Sequence, residues 1–191
     1  MYVTTQFQAA AQADMLALVA ANPLGALVRL GAAGLEADHI PFELVPPSDA
    51  APYGLLRAHV ARANPVWRAD DAAVLVLFQG ASSYVSPLLY DVEAAGGRVV
   101  PTWNYAVVHA HGRLRAIEDP AWILGQMTRL TQRHEDAQAG WKVEDAPREF
   151  IDKVVRTTVG IEIAIERMEA KFKMSQNRSP EDRARVLAAM G

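Results

Sequence analysis

At 191 residues, with a net charge of −3 and a pI near 5.9, the chain has the length of one domain with room for a small helical appendage, and no basic excess that would mark a dedicated nucleic-acid binder. Hydrophobic residues make up 51% and charged residues 21%, which suffices for a sizeable core and excludes wholesale disorder. The absence of cysteine excludes disulfides, thiolate zinc sites, iron–sulfur ligation and a cysteine nucleophile. The opening MYVTTQFQAAAQADML has no basic segment followed by an apolar one, so no secretory signal is expected. No apolar run approaches about 18 residues, so no membrane span is expected and the expected location is the cytoplasm.

Ala9 to Ala21 is rich in Ala and Leu at helical spacing, and Asn22-Pro23 stops it, which predicts a first helix. From Gly25 the pattern changes to short strands: GALVRL, a GAAG turn, LEADHIPFELV, then YGLLRAHV after the loop VPPSDAAP. Asn64-Pro65 breaks that pattern, and VWRAD predicts one helical turn. AVLVLFQG is the most apolar run and reads as a strand buried on both faces, continued by SSYVS after a bend at Gly80. RVVPTWNYAVVHAHGRLRAI reads as two extended pieces broken near Pro101.

Asp119-Pro120 opens a helix, with Asp as N-cap and Pro in the first position, and a second helix follows Pro147. In VGIEIAIERMEAKF, Ile161, Ile163 and Ile165 face one side and Glu162, Ala164 and Glu166 the other, the mark of a half-exposed strand. Ser179-Pro180-Glu181-Asp182 starts a short terminal helix ending at Gly191. The expected class is α+β, mainly antiparallel β: one domain over 1–191, a small barrel with peripheral helices, a helical insertion over about 119–157 and a C-terminal helix over about 180–190.

Four segments carry side chains beyond what a plain barrel needs. In HVARANPVW, Arg62 stands at a strand end beside Asn64-Pro65, where a guanidinium fork can hold a phosphate; a surface Arg next to a simple turn is the competing reading. In SSYVSP, from Ser82 through Ser86 to Pro87, hydroxyls around a tyrosine suit a phosphate or a flavin ring, or an edge strand stopped by Pro. Trp103, Asn104 and Tyr105 place two large aromatics around an amide, which suits a planar heteroaromatic ligand with polar edges. His109 and His111 share a strand face, but no carboxylate stands in register with them, so no metal site is assigned. No serine lies in a G-x-S-x-G setting, which leaves a catalytic triad without support.

In EAKFKMSQNR, Lys171 and Lys173 share one strand face. Ser175, Gln176, Asn177 and Arg178 then precede a helix start. Cations, amides and a helix N-terminus together make an anion site; a solvated loop between strand and helix reads equally well.

These segments, in this order, resemble the PaiB-like FMN-binding proteins, often labelled negative transcriptional regulators. The resemblance covers Met1-Tyr2 with Phe7, the His39-Ile40-Pro41-Phe42 segment, AHVARANPVW, LFQGASSYVSPLLY, VPTWNYAVVHAHGRLR and KFKMSQNR. It departs from the family pattern at Ala81 (commonly Pro), Leu89 (commonly aromatic) and Ala170 (usually Gly). The resemblance implies a split β-barrel like that of flavin reductases and pyridoxamine-phosphate oxidases, a homodimer, and FMN at the subunit interface. The FMN phosphate would meet Arg62 and the Lys171/Lys173 region, with the ring near Trp103, Asn104 and Tyr105. It also implies transcriptional regulation, although no helix-turn-helix is visible and the charge does not favour DNA. The alternative is a flavin-dependent oxidoreductase or a haem-handling enzyme of the same fold, with His109 or His59 near the substrate.

Overall fold

The computed structural model describes residues 1–9, 11–136 and 139–190. Seven strands form one sheet: β1 (Leu24–Gly31), β2 (Gly34–Pro41), β3 (Glu43–Val45), β4 (Leu55–Ala61), β5 (Ala73–Val85), β6 (Thr102–Ile117) and β7 (Thr158–Lys173), ordered β2-β1-β5-β6-β7-β4-β3. The α-helices are α1 (Gln12–Ala21), α2 (Pro120–His134), α3 (Arg148–Arg156) and α4 (Pro180–Ala189). Single 3-10 turns lie at Thr5–Phe7, Pro65–Arg68, Pro87–Leu89 and Val143–Asp145. Among the described residues, no helix is long and apolar enough to cross a membrane.

The punctuation residues set the helices as the sequence leads one to expect. Asp119 caps α2, its carboxylate accepting from the Ala121 N–H at 2.9 Å, with Pro120 in the first position. Ser179 caps α4 through the Asp182 N–H at 3.1 Å. The first helix starts later than its Ala/Leu pattern suggests, at Gln12, because the Asp14 carboxylate accepts from the Ala11 N–H at 3.0 Å and fixes the first turn there. Ala10, inside the expected first helix, and Gly191, the expected end of the C-terminal helix, lie outside the described residues.

Two strand expectations change. β5 runs unbroken through Gly80, and its residues from Val74 to Phe78 alternate between buried and half-buried, so only one face is fully covered. Of the two extended pieces expected around Pro101, only the second forms a strand; residues 98–101 carry no regular structure.

The chain packs into two compact units, and β5, β6 and β7 each contribute to both. Residues 1–22, 77–109 and 168–191 make the first. Its apolar interior includes Phe7, Leu18, Val19, Phe78, Val108 and Met168, and Val85, Tyr90 and Val186 form a cluster against which Leu89, Val99 and Met190 pack.

Residues 23–76 and 110–167 make the second unit. Its core holds Leu27, Phe42, Leu56, Val76, Leu114 and the Ile161-Ile163-Ile165 side of β7. Helix α2 lies on the neighbouring strands through specific pairs. Trp122 covers Gly160, where a Cβ would come within 2.4 Å of the indole, and Arg57 stacks 5.8 Å from the Trp122 ring. His59 Nδ1 meets Gln126 Oε1 at 2.6 Å, and Arg129 pairs with Glu43 at 2.7 Å.

The β1–β2 hairpin of this unit shows an inverted pattern. Leu24, Ala26, Val28 and Leu30 on β1 stand opposite Pro41, His39, Ala37 and Leu35 on β2, and this nearly uncharged face points outward. Leu30 is 75% exposed and Leu35 is 81% exposed. The other face carries the buried Leu27 and Ile40, together with the Arg29–Glu36 ion pair and Asp38, whose carboxylate accepts from the Asn64 amide at 2.8 Å.

Candidate functional site

Eleven of the thirteen residues singled out in the sequence fall in the first unit: Ser86, Trp103, Asn104, Tyr105, His109, Lys171, Lys173, Ser175, Gln176, Asn177 and Arg178. Strand alternation divides them. On β6, Trp103, Tyr105 and His109 share one face, while Asn104 points the other way and is 1% exposed. Trp103 is 56% exposed and meets Tyr84 edge to face, with ring centroids 6.2 Å apart. Two aromatic rings are therefore presented outward, set nearly perpendicular at 73°, so a planar ligand can stack on one of them and meet the edge of the other.

On β7, Lys171 and Lys173 share a face, as the alternation requires. Lys171 Nζ sits between two tyrosine rings, 5.7 Å from the Tyr2 centroid and 5.5 Å from that of Tyr105, and donates to the Tyr2 carbonyl at 3.4 Å. Lys173 Nζ donates to the Thr102 hydroxyl and, at 2.7 Å, to the Trp103 carbonyl, so it clamps the backbone that carries Trp103. Past the strand, the Arg178 guanidinium lies 4.3 Å from the Tyr90 ring centroid. Among the described residues, none of these three cations pairs with a carboxylate.

These surroundings act on Lys173. Burial pushes its ammonium below the ordinary lysine range; Tyr105 works in the opposite sense, and the charges of Lys171 and Arg178 add to the lowering. Cations without a carboxylate partner among the described residues are of the chemical kind that can receive an anion.

The rest of EAKFKMSQNR builds the turn that holds these cations. Ser175, 3% exposed, has a backbone φ of 58°, in the left-handed region that disfavours L residues. Its hydroxyl lies 3.1 Å from Asn104 Nδ2 and 3.2 Å from Asn104 Oδ1, and its carbonyl accepts from the Arg178 N–H at 3.1 Å. Gln176 folds back on its own segment, accepting from the Met174 N–H at 2.6 Å and donating to the Phe172 carbonyl. Asn177 is exposed. Ser86 accepts from the Leu88 N–H at 3.3 Å and so caps the Pro87–Leu89 turn. His109 is half-buried on β6.

Arg62 and Asn64 belong to the second unit, where both serve its structure. The Arg62 guanidinium binds Glu118 at 2.5 Å and the carbonyls of Arg156 at 3.2 Å and Thr158 at 3.3 Å. Asn64 caps the Pro65–Arg68 turn through the Val66 N–H at 2.8 Å. Three residues that matter in the first unit were absent from the sequence reading of the site: Tyr2, Tyr90 and Thr102. No local pattern marks a lone aromatic or hydroxyl as the partner of a lysine far along the chain, so no signal for them was available.

The model of the family described as "Putative FMN-binding domain" matches residues 1–167. The chain belongs to this family. FMN is the cofactor that goes with it. The family match stops short of the lysine–arginine segment, so the reading of Lys171 to Arg178 rests on its own geometry. An uncharacterized protein of Aspergillus fumigatus is 34% identical, covering 87% of this chain and 81% of its own. The Bacillus subtilis protein named protease synthase and sporulation protein PAI 2 is 29% identical, covering 98% and 87%.

Among solved structures, the FAD and heme binding protein of Mycobacterium smegmatis aligns with a TM-score of 0.65 at 18% identity, over 96% of this chain and 80% of that one. The flavocytochrome Anf3 of Azotobacter vinelandii aligns at 0.63 and 13% identity, over 96% and 78%. At these identities the likeness concerns the fold, the split β-barrel expected from the sequence.

Proposed function

We propose that this member of the FMN-binding family is a flavin-dependent regulatory protein of the PaiB type, working in the cytoplasm as a homodimer. The observation that carries the reading is the group of three cations, Lys171, Lys173 and Arg178, without a carboxylate partner among the described residues, with Lys173 bound to the backbone of the outward Trp103. These residues fit FMN in kind: cations for the phosphate, aromatic faces for the isoalloxazine. Bound FMN would supply a redox-active ring. The chain's own part is to hold it, with Lys173 fixing the Trp103 backbone and Lys171 set between Tyr2 and Tyr105.

The outward apolar face of the β1–β2 hairpin supports the dimer. Only His39 interrupts its run of Leu, Ala, Val and Pro, and such a surface favours a second copy of itself over a charged partner. Regulation through direct DNA contact has less behind it, because the net charge of −3 gives no phosphate-neutralising surplus.

The visible spectrum of the purified protein with and without added FMN tests the proposal. The expected result is flavin absorbance that follows the protein through gel filtration, with a rise in Tm; ligand at 100 times Kd adds about 2.7 kcal/mol of stability. Neither absorbance nor a Tm rise would sink it. A promoter fragment shifted at low salt and released as salt rises would add the DNA contact. Flavin-dependent NAD(P)H oxidation that disappears in His109→Ala would replace the regulatory reading with an oxidoreductase.

A further inference from the structure

The buried Asn104–Ser175 pair is more elaborate than joining two strand ends requires. Both polar atoms of the Asn104 amide lie within hydrogen-bond reach of the Ser175 hydroxyl, at 3.1 and 3.2 Å, so the pair survives whichever way the amide is turned. Asn104 also reaches the Met190 sulfur at 3.6 Å. Ser175 holds a left-handed backbone, with φ of 58°, where glycine would sit without strain. The buried serine there gives its hydroxyl to Asn104 in spite of that strain. The left-handed residue turns the chain out of β7 within a few residues. Lys173 stands before that turn, held on Thr102 and the Trp103 carbonyl. Arg178 stands after it, its N–H on the Ser175 carbonyl and its guanidinium over Tyr90.

We infer that Ser175 is the positioning residue of the anion site: its hydroxyl, locked to Asn104, sets the turn that holds Lys173 and Arg178 as a preformed receptor for the terminal phosphate of the flavin. The inference rests on the reading that these cations receive that phosphate. Two like charges held together unfavourably in the free protein gain when a phosphate arrives, and a rigid turn stops them from drifting apart beforehand. Without the turn, each would relax toward solvent, and the phosphate would have to pull them back.

The test compares FMN with riboflavin, which lacks only the phosphate, on the full-length protein. Wild type, Ser175→Ala and Ser175→Gly are titrated with each by flavin fluorescence. Ser175→Ala removes the hydroxyl and keeps the strain; Ser175→Gly removes both and guards against a variant that fails to fold. In wild type, FMN is expected to bind about tenfold or more tighter than riboflavin. In both variants that preference is expected to fall to about twofold, with the riboflavin affinity unchanged. A preference that stays at the wild-type level overturns the inference, and so does an equal loss for both ligands, which is what a merely structural role produces. Loss of folded structure in both variants overturns it for the same reason. Equal affinity of wild type for FMN and riboflavin is a separate outcome: it defeats the phosphate reading itself, and the role of Ser175 with it.

Discussion

The guanidinium of Arg178 lies 4.3 Å from the ring centroid of Tyr90, and the hydroxyl of that tyrosine is buried with no hydrogen-bond partner among the described residues. The ring is thus used twice, as a wall of the Val85–Val186 cluster and as the seat of a cation, while the hydroxyl contributes nothing to either. A buried unpaired hydroxyl costs about 1–3 kcal/mol, whereas a cation over an aromatic face gives about 0.5–2 kcal/mol. Tyr90→Phe should therefore be neutral or stabilising by up to about 1 kcal/mol in urea denaturation. Tyr90→Ala should cost about 3–5 kcal/mol, and Arg178→Ala about 1 kcal/mol. A clear loss in Tyr90→Phe would mean that the hydroxyl has a partner after all.

One substitution type should give opposite signs at two places in the second unit. At Gly112 on β6, a Cβ would sit 2.2 Å from the carbonyl oxygen of Ala164 and 2.8 Å from Ile163 Cγ2. The first of these is backbone and cannot swing aside, so Gly112→Ala must push two strands apart, at about 1–3 kcal/mol. Inside α2, a Cβ on Gly125 would meet nothing closer than the end of the Arg129 side chain at 3.4 Å. Gly125→Ala there gains helix propensity and should stabilise by about 0.5–1 kcal/mol. Paired melting curves of the two variants check both signs together.

These positions show where the sequence is legible and where it is not. The capped helices were readable because Asp119-Pro120 and Ser179-Pro180 act locally, through groups two or three residues away. The shared face of Lys171 and Lys173 was readable because alternation alone decides it. Alternation also moves Asn104 to the face opposite Trp103 and Tyr105, a consequence that grouping the three by chemistry passed over. What lay beyond reach depends on distant partners. Arg62 looks the same in sequence whether its fork meets a phosphate or Glu118, 56 residues on. Nothing local foretells that Ser175 would pair with Asn104, 71 residues away, or that Tyr2 would face Lys171. The unbroken run of β5 through Gly80 is of the same kind: a Cβ there would meet only ordinary contacts, the nearest Leu18 at 3.5 Å, so the glycine that suggested a bend imposes none.

The outward hairpin face leads to a prediction about assembly. Leu30 and Leu35 pair directly across β1 and β2, and both are well exposed, so neither supports the fold of a single chain much. Leu30→Glu with Leu35→Glu sets two like charges directly opposite each other and should cost the isolated chain about 0.5–1 kcal/mol, leaving it folded. In a dimer built on this face, the double variant would set four carboxylates against apolar surface. It is expected to run as a monomer in light scattering at concentrations where wild type is a dimer. A wild-type dimer that persists in the double variant would place the subunit contact elsewhere.

Lys173 should make flavin binding depend on pH with a definite sign. Burial, aided by Lys171 and Arg178, lowers its pKa in the folded protein below the ordinary lysine value of 10.5. As pH rises through that lowered value, the folded chain sheds the proton while the unfolded chain still holds it. The unfolded state then binds more protons, and this group alone makes stability rise with pH until 10.5 is reached. An anion beside the ammonium reverses the balance: it favours the charged form, so FMN binding takes up a proton across the same window and weakens as pH climbs through it. Lys173→Gln should bind FMN roughly tenfold more weakly at neutral pH and lose this part of the alkaline decline. The quantity to measure is the difference between the two pH profiles from pH 7 to the alkaline limit of folding. Parallel profiles would show that the Lys173 ammonium does not meet the phosphate, whatever its distance from Trp103.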